Sequence, residues 1–233
     1  MKKKSFEDCY NLCNLSHHKF KISNAYLKWL FKDLDFKNKR VLDIGGGRGL
    51  YSYYAKSMGA SEVINLEPFS DGSSGNFIKN IDLIVNHESI FFQDFNIENK
   101  FDIIIIHDSI NHLDEAMYVK LANDSAAVNT YKNLIKKMYD HLNHGGLISV
   151  SDCSNQNFFN MVGFRNPFSP TIEWHLHQPP SLLINLFKSE RFTLLKLRWT
   201  PFKRFGFIGR IISQFGVIPS FFMQSHYNII FKK

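Results

Sequence analysis

A β-branched and apolar run, Val41-Leu42-Asp43-Ile44, passes directly into Gly45-Gly46-Gly47-Arg48-Gly49 and then into Leu50, Tyr54 and Met58 at helical spacing. Strand, glycine turn and helix in that order suit few folds other than an open α/β sheet that binds a ligand at its strand ends. Glycines let the backbone turn sharply and approach a ligand closely, and the helix start offers free amide donors. A triphosphate loop needs Gly-Lys-Ser or Gly-Lys-Thr at its end, and Arg48-Gly49-Leu50 offers neither lysine nor hydroxyl. A nucleotide triphosphatase is therefore disfavoured. The dinucleotide fingerprint wants a third glycine where Leu50 stands, so a dehydrogenase is a second choice.

The rest of the chain agrees with one α/β domain. Its 233 residues, 44% hydrophobic and 21% charged, suit one domain with a full core, and no run of about 18 uncharged apolar residues spans a membrane. Met1 to Lys4 are basic, but Glu7, Asp8, Asn11 and Asn14 interrupt any apolar signal core, so a cytoplasmic protein is expected. Three scattered cysteines fit a reducing compartment. Cys9, Cys13 and His17 recur every four residues, a spacing that suits metal ligation, but packing on an amphipathic helix is the better account and no metal is assigned. The net charge of +7 raises nucleic acid, anionic lipid or an acidic substrate as partners.

From Val41 onward, β-branched runs alternate with helical segments. Strands are expected at Val41 to Ile44, Val63 to Leu66, Ser89 to Gln93, Phe101 to Ile106, Leu147 to Val150, Phe192 to Trp199 and Phe221 to Phe231. The four isoleucines Ile103 to Ile106 read as a central strand buried on both faces. Helices are expected at Ala25 to Leu34, Leu50 to Met58, Asn123 to Leu142 and Ser181 to Ser189, with a weaker one over Phe77 to Val85 after a loop at Asp71 to Gly75. The single domain then divides into a helical cap (1–39), a ligand-binding core (40–152), an irregular aromatic insertion (153–180) and a late helix and strands (181–233).

Acids stand at the ends of successive strands. Glu67 follows Asp43 by about one βαβ interval and can accept hydrogen bonds from both hydroxyls of a ribose. Asp94 can accept from an exocyclic adenine amine, with Phe95 offering an apolar surface beside the base. VLDIGGGRG followed by NLEPF, FFQDF, FDIIIIHDSINHL and LNHGGLISVSD resembles the motif series of class I S-adenosylmethionine-dependent methyltransferases, over about residues 40 to 152. The resemblance implies a Rossmann-like, mostly parallel seven-stranded sheet with helices on both faces and an antiparallel last strand inserted beside the fifth. It implies S-adenosyl-L-methionine as cofactor, with Asp43, Gly45, Gly46, Gly47 and His107 around the methionine part, Glu67 at the ribose, and Asp94 with Phe95 at the adenine.

Methyl transfer from a sulfonium needs chiefly an in-line approach, and an alcohol acceptor benefits from a base. His107, Asp108, His112, Asp152, His175 and His177 have the chemistry for it. His112 resembles a family histidine that is often structural. If the stretch Glu173 to Gln178 is extended, His175 and His177 project to one side and address one ligand. Similar O-methyltransferases bind a divalent metal through Glu-x-x-Glu-His. Here Asp108-Ser109-Ile110-Asn111-His112 has an amide where the second acid should be, and no metal ligands are assigned. Asn166 to His175 also resembles methyltransferases that occur with bacterial surface-polysaccharide enzymes, which implies a small-molecule acceptor such as a sugar or a phosphorylated glycan precursor.

O-methylation of such an acceptor is the main expectation, with a phosphorylated or phosphoramidate metabolite or a nitrogen acceptor as alternatives. No Asn-Pro-Pro-Tyr-like sequence follows the fourth strand, so a nucleic-acid acceptor is not expected. Lys203, Arg204 and Arg210 alternate with Phe202, Phe205, Phe207, Ile208, Ile211 and Ile212, which leaves peripheral membrane contact, or a binding module without catalysis, as a different class. Nothing in the sequence sets an oligomeric state.

Overall fold

The four isoleucines lie at the centre of the sheet. β4 (Phe101–His107) pairs in parallel with β1 (Arg40–Ile44) on one edge and with β5 (Leu142–Cys153) on the other. Side chains alternate across a strand, so Ile104 and Ile106 enter one core layer and Ile103 and Ile105 the other. This is a computed structural model that describes residues 5–16, 18–68, 85–199, 206–213 and 215–233. β2 (Glu62–Leu66) and β3 (Asn86–Glu88) continue the parallel sheet beyond β1. β7 (His226–Lys232) runs antiparallel between β5 and β6 (Thr193–Trp199), giving the order β3-β2-β1-β4-β5-β7-β6. This is the expected seven-stranded architecture.

Helices cover both faces. On one, α2 (Phe20–Leu30) and α3 (Leu50–Ser57) bury Leu27, Leu30, Tyr54 and Ala55 against Ile103 and Ile105, and the short α1 (Phe6–Leu12) packs on α3 through Cys9, Tyr10 and Tyr53. The opposite face carries α4 (Glu115–Tyr118), α5 (Ser125–His141) and, after α6 (Phe158–Met161), α7 (Pro180–Ser189). Asp124 caps α5 by accepting from the Ala126 and Ala127 amides. Phe187 of α7 stacks on Phe231 of β7 at 4.3 Å between centroids. α8 (Gly206–Ser213) and α9 (Val217–Phe221) precede β7.

Several boundaries differ from expectation. The third strand is Asn86–Glu88 and not Ser89 to Gln93, because the apolar Phe92 reaches the core from a turn at the strand's end. The first long helix ends at Leu30, and Phe31 and Phe36 then pack edge to face where the chain turns toward β1. β5 begins at Leu142, directly after α5, and absorbs Gly145 and Gly146 within its length. Phe221 closes α9, and Ser225, at φ +48, turns the chain into β7. The Asp71 to Gly75 loop, Phe77, His17, Met1 to Lys4, Pro201, Phe202 to Phe205 and the side chains of Phe207 and Arg210 lie outside the described residues. No helix among the described residues is long and apolar enough to cross a membrane.

Ile104, fully buried between sheet and α5, anchors this arrangement, whereas Leu195 on β6 is 52% exposed. Ile104→Ala should lower unfolding free energy in urea by about 2–5 kcal/mol, and Leu195→Ala should change it by less than about 0.5 kcal/mol.

Candidate active site

The glycine loop rests on a buried polar platform. Gly45 and Gly46 donate their amides to the Leu66 carbonyl at the end of β2. Beneath them Ser52 donates to Asp43 Oδ2 at 2.6 Å, and Asn65 donates to Ser52 Oγ at 3.2 Å. A Cβ on Gly46 would fall 2.6 Å from Asp43 Oδ2 and 2.5 Å from the Asn65 amide nitrogen. A Cβ on Gly45, at φ +68, would fall 2.4 Å from the Ser109 Cβ. Only glycine permits the loop to lie this low. Burial pushes the Asp43 carboxyl up to about 7, against the Ser52 hydrogen bonds that favour its charge, and the Glu67 charge adds to the rise.

A cavity of about 540 Å³ opens over this loop. Gly45, Gly46, Gly47, Glu67, His107, Asp108 and His112 line it. Glu67 accepts the Gly47 amide at 2.9 Å, so the carboxylate both faces the cavity and ties the third glycine down. Asp43 lies below the floor, not on the wall, and acts through the platform. Phe95 is a correction. Asp94 is exposed and Phe95 is buried between Phe101 and His141, both outside the cavity wall, because the turn after β3 directs Phe95 into the core. Ile90, Phe91, Phe92 and Gln93 line that side instead. The segment Asn14, Leu15, Ser16 and His18 supplies another wall, a role that no local pattern in the sequence announced.

Above the end of β4 several ionisable residues gather. His107 is buried with its ring 4.2 Å from that of Tyr51, and it approaches Asp108 at 3.3 Å. Asp108, at φ +53, also receives His226 Nε2 at 2.7 Å. Partial desolvation opposes ionisation of Asp108, but the two imidazoles hold its carboxyl well below the usual range. His226 was not foreseen, since it stands 118 residues from its partner. His112 sits at the rim, about half exposed, paired with Glu115 at 3.0 Å.

The two insertion histidines part company. Trp174–Leu176 form a 3₁₀ turn and not an extended segment, so His175 faces solvent while His177 turns inward. His177 Nδ1 meets Asp152 Oδ1 at 2.8 Å, and Tyr118 donates its hydroxyl to Asp152 Oδ2 at 2.8 Å. Although burial opposes it, the Asp152 carboxylate raises the His177 pKa above its ordinary value, helped by Asp108 and Glu115. Cys9 and Cys13 pack beside Tyr53, as the amphipathic reading expects. All three cysteines are buried and free.

Residues 15–196 match the family model described as methyltransferase domain. The chain belongs to the methyltransferase-domain family. Solved structures that share its fold include S-adenosylmethionine-dependent methyltransferases. The ribosomal protein L11 methyltransferase of Helicobacter pylori is 30% identical over 134 residues, covering 53% of this chain. That match takes in only 39% of the curated relative's own length. An S-adenosylmethionine-dependent methyltransferase from Archaeoglobus fulgidus superposes with a TM-score of 0.59 at 16% identity, over 97% of this chain and 99% of that one. The 1,6-didemethyltoxoflavin-N1-methyltransferase of Burkholderia thailandensis, solved with S-adenosylhomocysteine, gives 0.55 at 13% identity over 98% of this chain and 83% of that one. The low glycine cradle, bare of side chains, and the Glu67 carboxylate line one cavity and fit the methyltransferase cofactor.

Gly45→Ala should weaken S-adenosylhomocysteine binding by at least about tenfold in calorimetry, because the Cβ has neither backbone freedom nor room beside Ser109. Asp43 carries a second expectation. Its folded pKa lies above the unfolded value of 3.8, so its contribution is present in acid and is lost as pH rises toward about 7. In the cofactor-free protein, Asp43→Asn should therefore gain stability relative to wild type as pH rises from about 4 to about 7, by up to roughly 4 kcal/mol, read from melting temperatures across that range.

Proposed function

We propose that this chain is an O-methyltransferase for a small polar acceptor, with a sugar or glycan-precursor hydroxyl as the leading class and His177 as the group that takes its proton. The Tyr118–Asp152–His177 chain carries this reading. When bound over the glycine loop, S-adenosylmethionine supplies a methyl group made electrophilic by its sulfonium. The chain's part is to position and deprotonate. The floor of Gly45 and Gly46 and the Glu67 carboxylate would hold the cofactor at the ends of β1 and β2. Asp108 and His112, from the end of β4, face the same cavity and border the acceptor's approach.

His177 has the form of a general base. Asp152, fully buried, fixes Nδ1 as the donor, and Tyr118 fixes Asp152. Nε2 makes no hydrogen bond within the described residues and remains available to a hydroxyl proton. An amine acceptor already has its lone pair once neutral and depends less on such a base. The acceptor class is thereby tied to a residue whose removal can be measured. The curated relative's ribosomal-protein substrate and the toxoflavin enzyme's nitrogen acceptor belong to those proteins.

The imidazole accepts a proton only when neutral, so kcat should rise with pH through an apparent pKa above the ordinary histidine value of 6.5. Asp152→Asn removes the first cause of that rise and should move the acid limb to lower pH while lowering kcat. With labelled S-adenosylmethionine and glycan precursors, followed by mass spectrometry, His177→Ala should lower kcat by about 10²-fold or more with S-adenosylhomocysteine affinity retained. Undiminished turnover in His177→Ala, or methylated nitrogen in the product, would overturn the hydroxyl reading.

A further inference from the structure

Asp108 does not face solvent alone. Its Oδ1 lies 2.7 Å from His226 Nε2, and its Oδ2 lies 3.3 Å from His107 Nε2. The three ligating groups stand within 4.8 Å of one another. They come from separate parts of the chain: His107 ends β4, Asp108 follows it, and His226 begins β7. We propose that His107, Asp108 and His226 form a binding site for one borderline divalent cation of the Zn(II), Mn(II), Fe(II) or Co(II) kind, at the acceptor side of the cofactor cavity.

Two imidazoles and one carboxylate define the cation class. Hard cations such as Mg(II) and Ca(II) prefer several oxygen donors, whereas imidazole suits the first-row divalent metals. The spacing agrees. A cation about 2.0–2.2 Å from each donor sets neighbouring donors roughly 3.0–3.4 Å apart, and the observed 2.7 Å and 3.3 Å lie close to that range. The cation would take the place of the protons that now bridge Asp108 and the imidazoles. Three protein ligands leave coordination positions open, as in catalytic sites and unlike closed structural ones.

The ligands are also held before any metal arrives. Tyr51 packs against the His107 ring at 4.2 Å, and β7 fixes His226 through its register with Cys153 of β5. Asp108 lines the cavity and its side chain is 53% exposed, so the site opens toward the space an acceptor must enter. Cation binding stands on these three residues alone. The further step, that an open position would hold an oxygen of the acceptor and lower the charge on it during transfer, rests on the hydroxyl-acceptor reading above.

Chelator-treated protein titrated with Co(II) and followed by visible absorption separates the two. Wild type should take up one equivalent with d–d bands in the visible, reversed by Zn(II). Affinity should fall by about 10²-fold or more in Asp108→Asn and in His226→Gln, and stay unchanged in His144→Ala, an exposed histidine elsewhere. Melting curves and S-adenosylhomocysteine binding establish that each variant is folded. Zn(II) should raise the wild-type melting temperature more than that of Asp108→Asn. Absence of saturable uptake, or equal uptake by wild type and a folded Asp108→Asn, overturns the proposal. Loss of turnover without loss of Co(II) binding would bear on His177 and the acceptor and leave the cation site standing.

Discussion

The contact between Gly45 and Ser109 is the constraint around which the upper rim of the molecule is arranged. Ser109 Oγ donates to the Ile44 carbonyl at 2.7 Å, so the chain leaving β4 is fastened to the chain leaving β1 at the point where both turn. Parallel strands diverge into separate crossovers, and nothing in the ladder itself continues past their last pair. This bond continues it. Below it the buried Asp43, Ser52 and Asn65 set the height of the glycine loop, and Glu67 secures the loop from β2. Three adjacent strand ends are thus tied by short polar contacts, and the cavity inherits its shape from them.

That arrangement pushes two carboxylates in opposite directions. Asp43 sits without solvent, and burial outweighs the Ser52 hydrogen bonds that favour its charge, so its carboxyl is pushed up to about 7. Asp108 stands between two imidazoles, and their charge outweighs the desolvation it suffers. One acid therefore acts as a structural hydrogen-bonding group under the loop, while the other keeps its charge at the mouth of the cavity. The difference comes from neighbours, since the residue type is the same.

What the sequence made legible was local. Val41 to Gly49 announces a strand, a sharp turn and a helix because those properties belong to consecutive residues. Ile103 to Ile106 announces a doubly covered strand for the same reason. The acids at strand ends were readable where the strand end itself was readable, as for Asp43 and Glu67. Phe95 misled because an aromatic next to an acid looks the same whether its ring faces a base or the core, and the turn after β3 decides which. His175 and His177 misled because extended and 3₁₀ backbones place alternate residues differently, and Glu173-Trp174-His175-Leu176 has no strong preference of its own. His226 was invisible in a different way. Its partner is reached only through the insertion of β7 between β5 and β6, a pairing that the chain makes last in sequence and over its longest separation.

The same topology separates two kinds of residue. Those beneath and beside the glycine loop come from β1, β2 and α3, which follow one another closely in the chain. Those of the ionisable cluster above β4 and of the proposed base come from the end of β4, from β5 through Asp152, from the insertion through His177 and from β7 through His226. A change in the insertion can therefore reposition His177 without disturbing the loop, because the platform under Gly46 shares no hydrogen bond with Asp152. His107 belongs to both groups, since it lines the cavity and approaches Asp108. Its ring, packed 4.2 Å from that of Tyr51, joins the cavity wall to the cluster around Asp108.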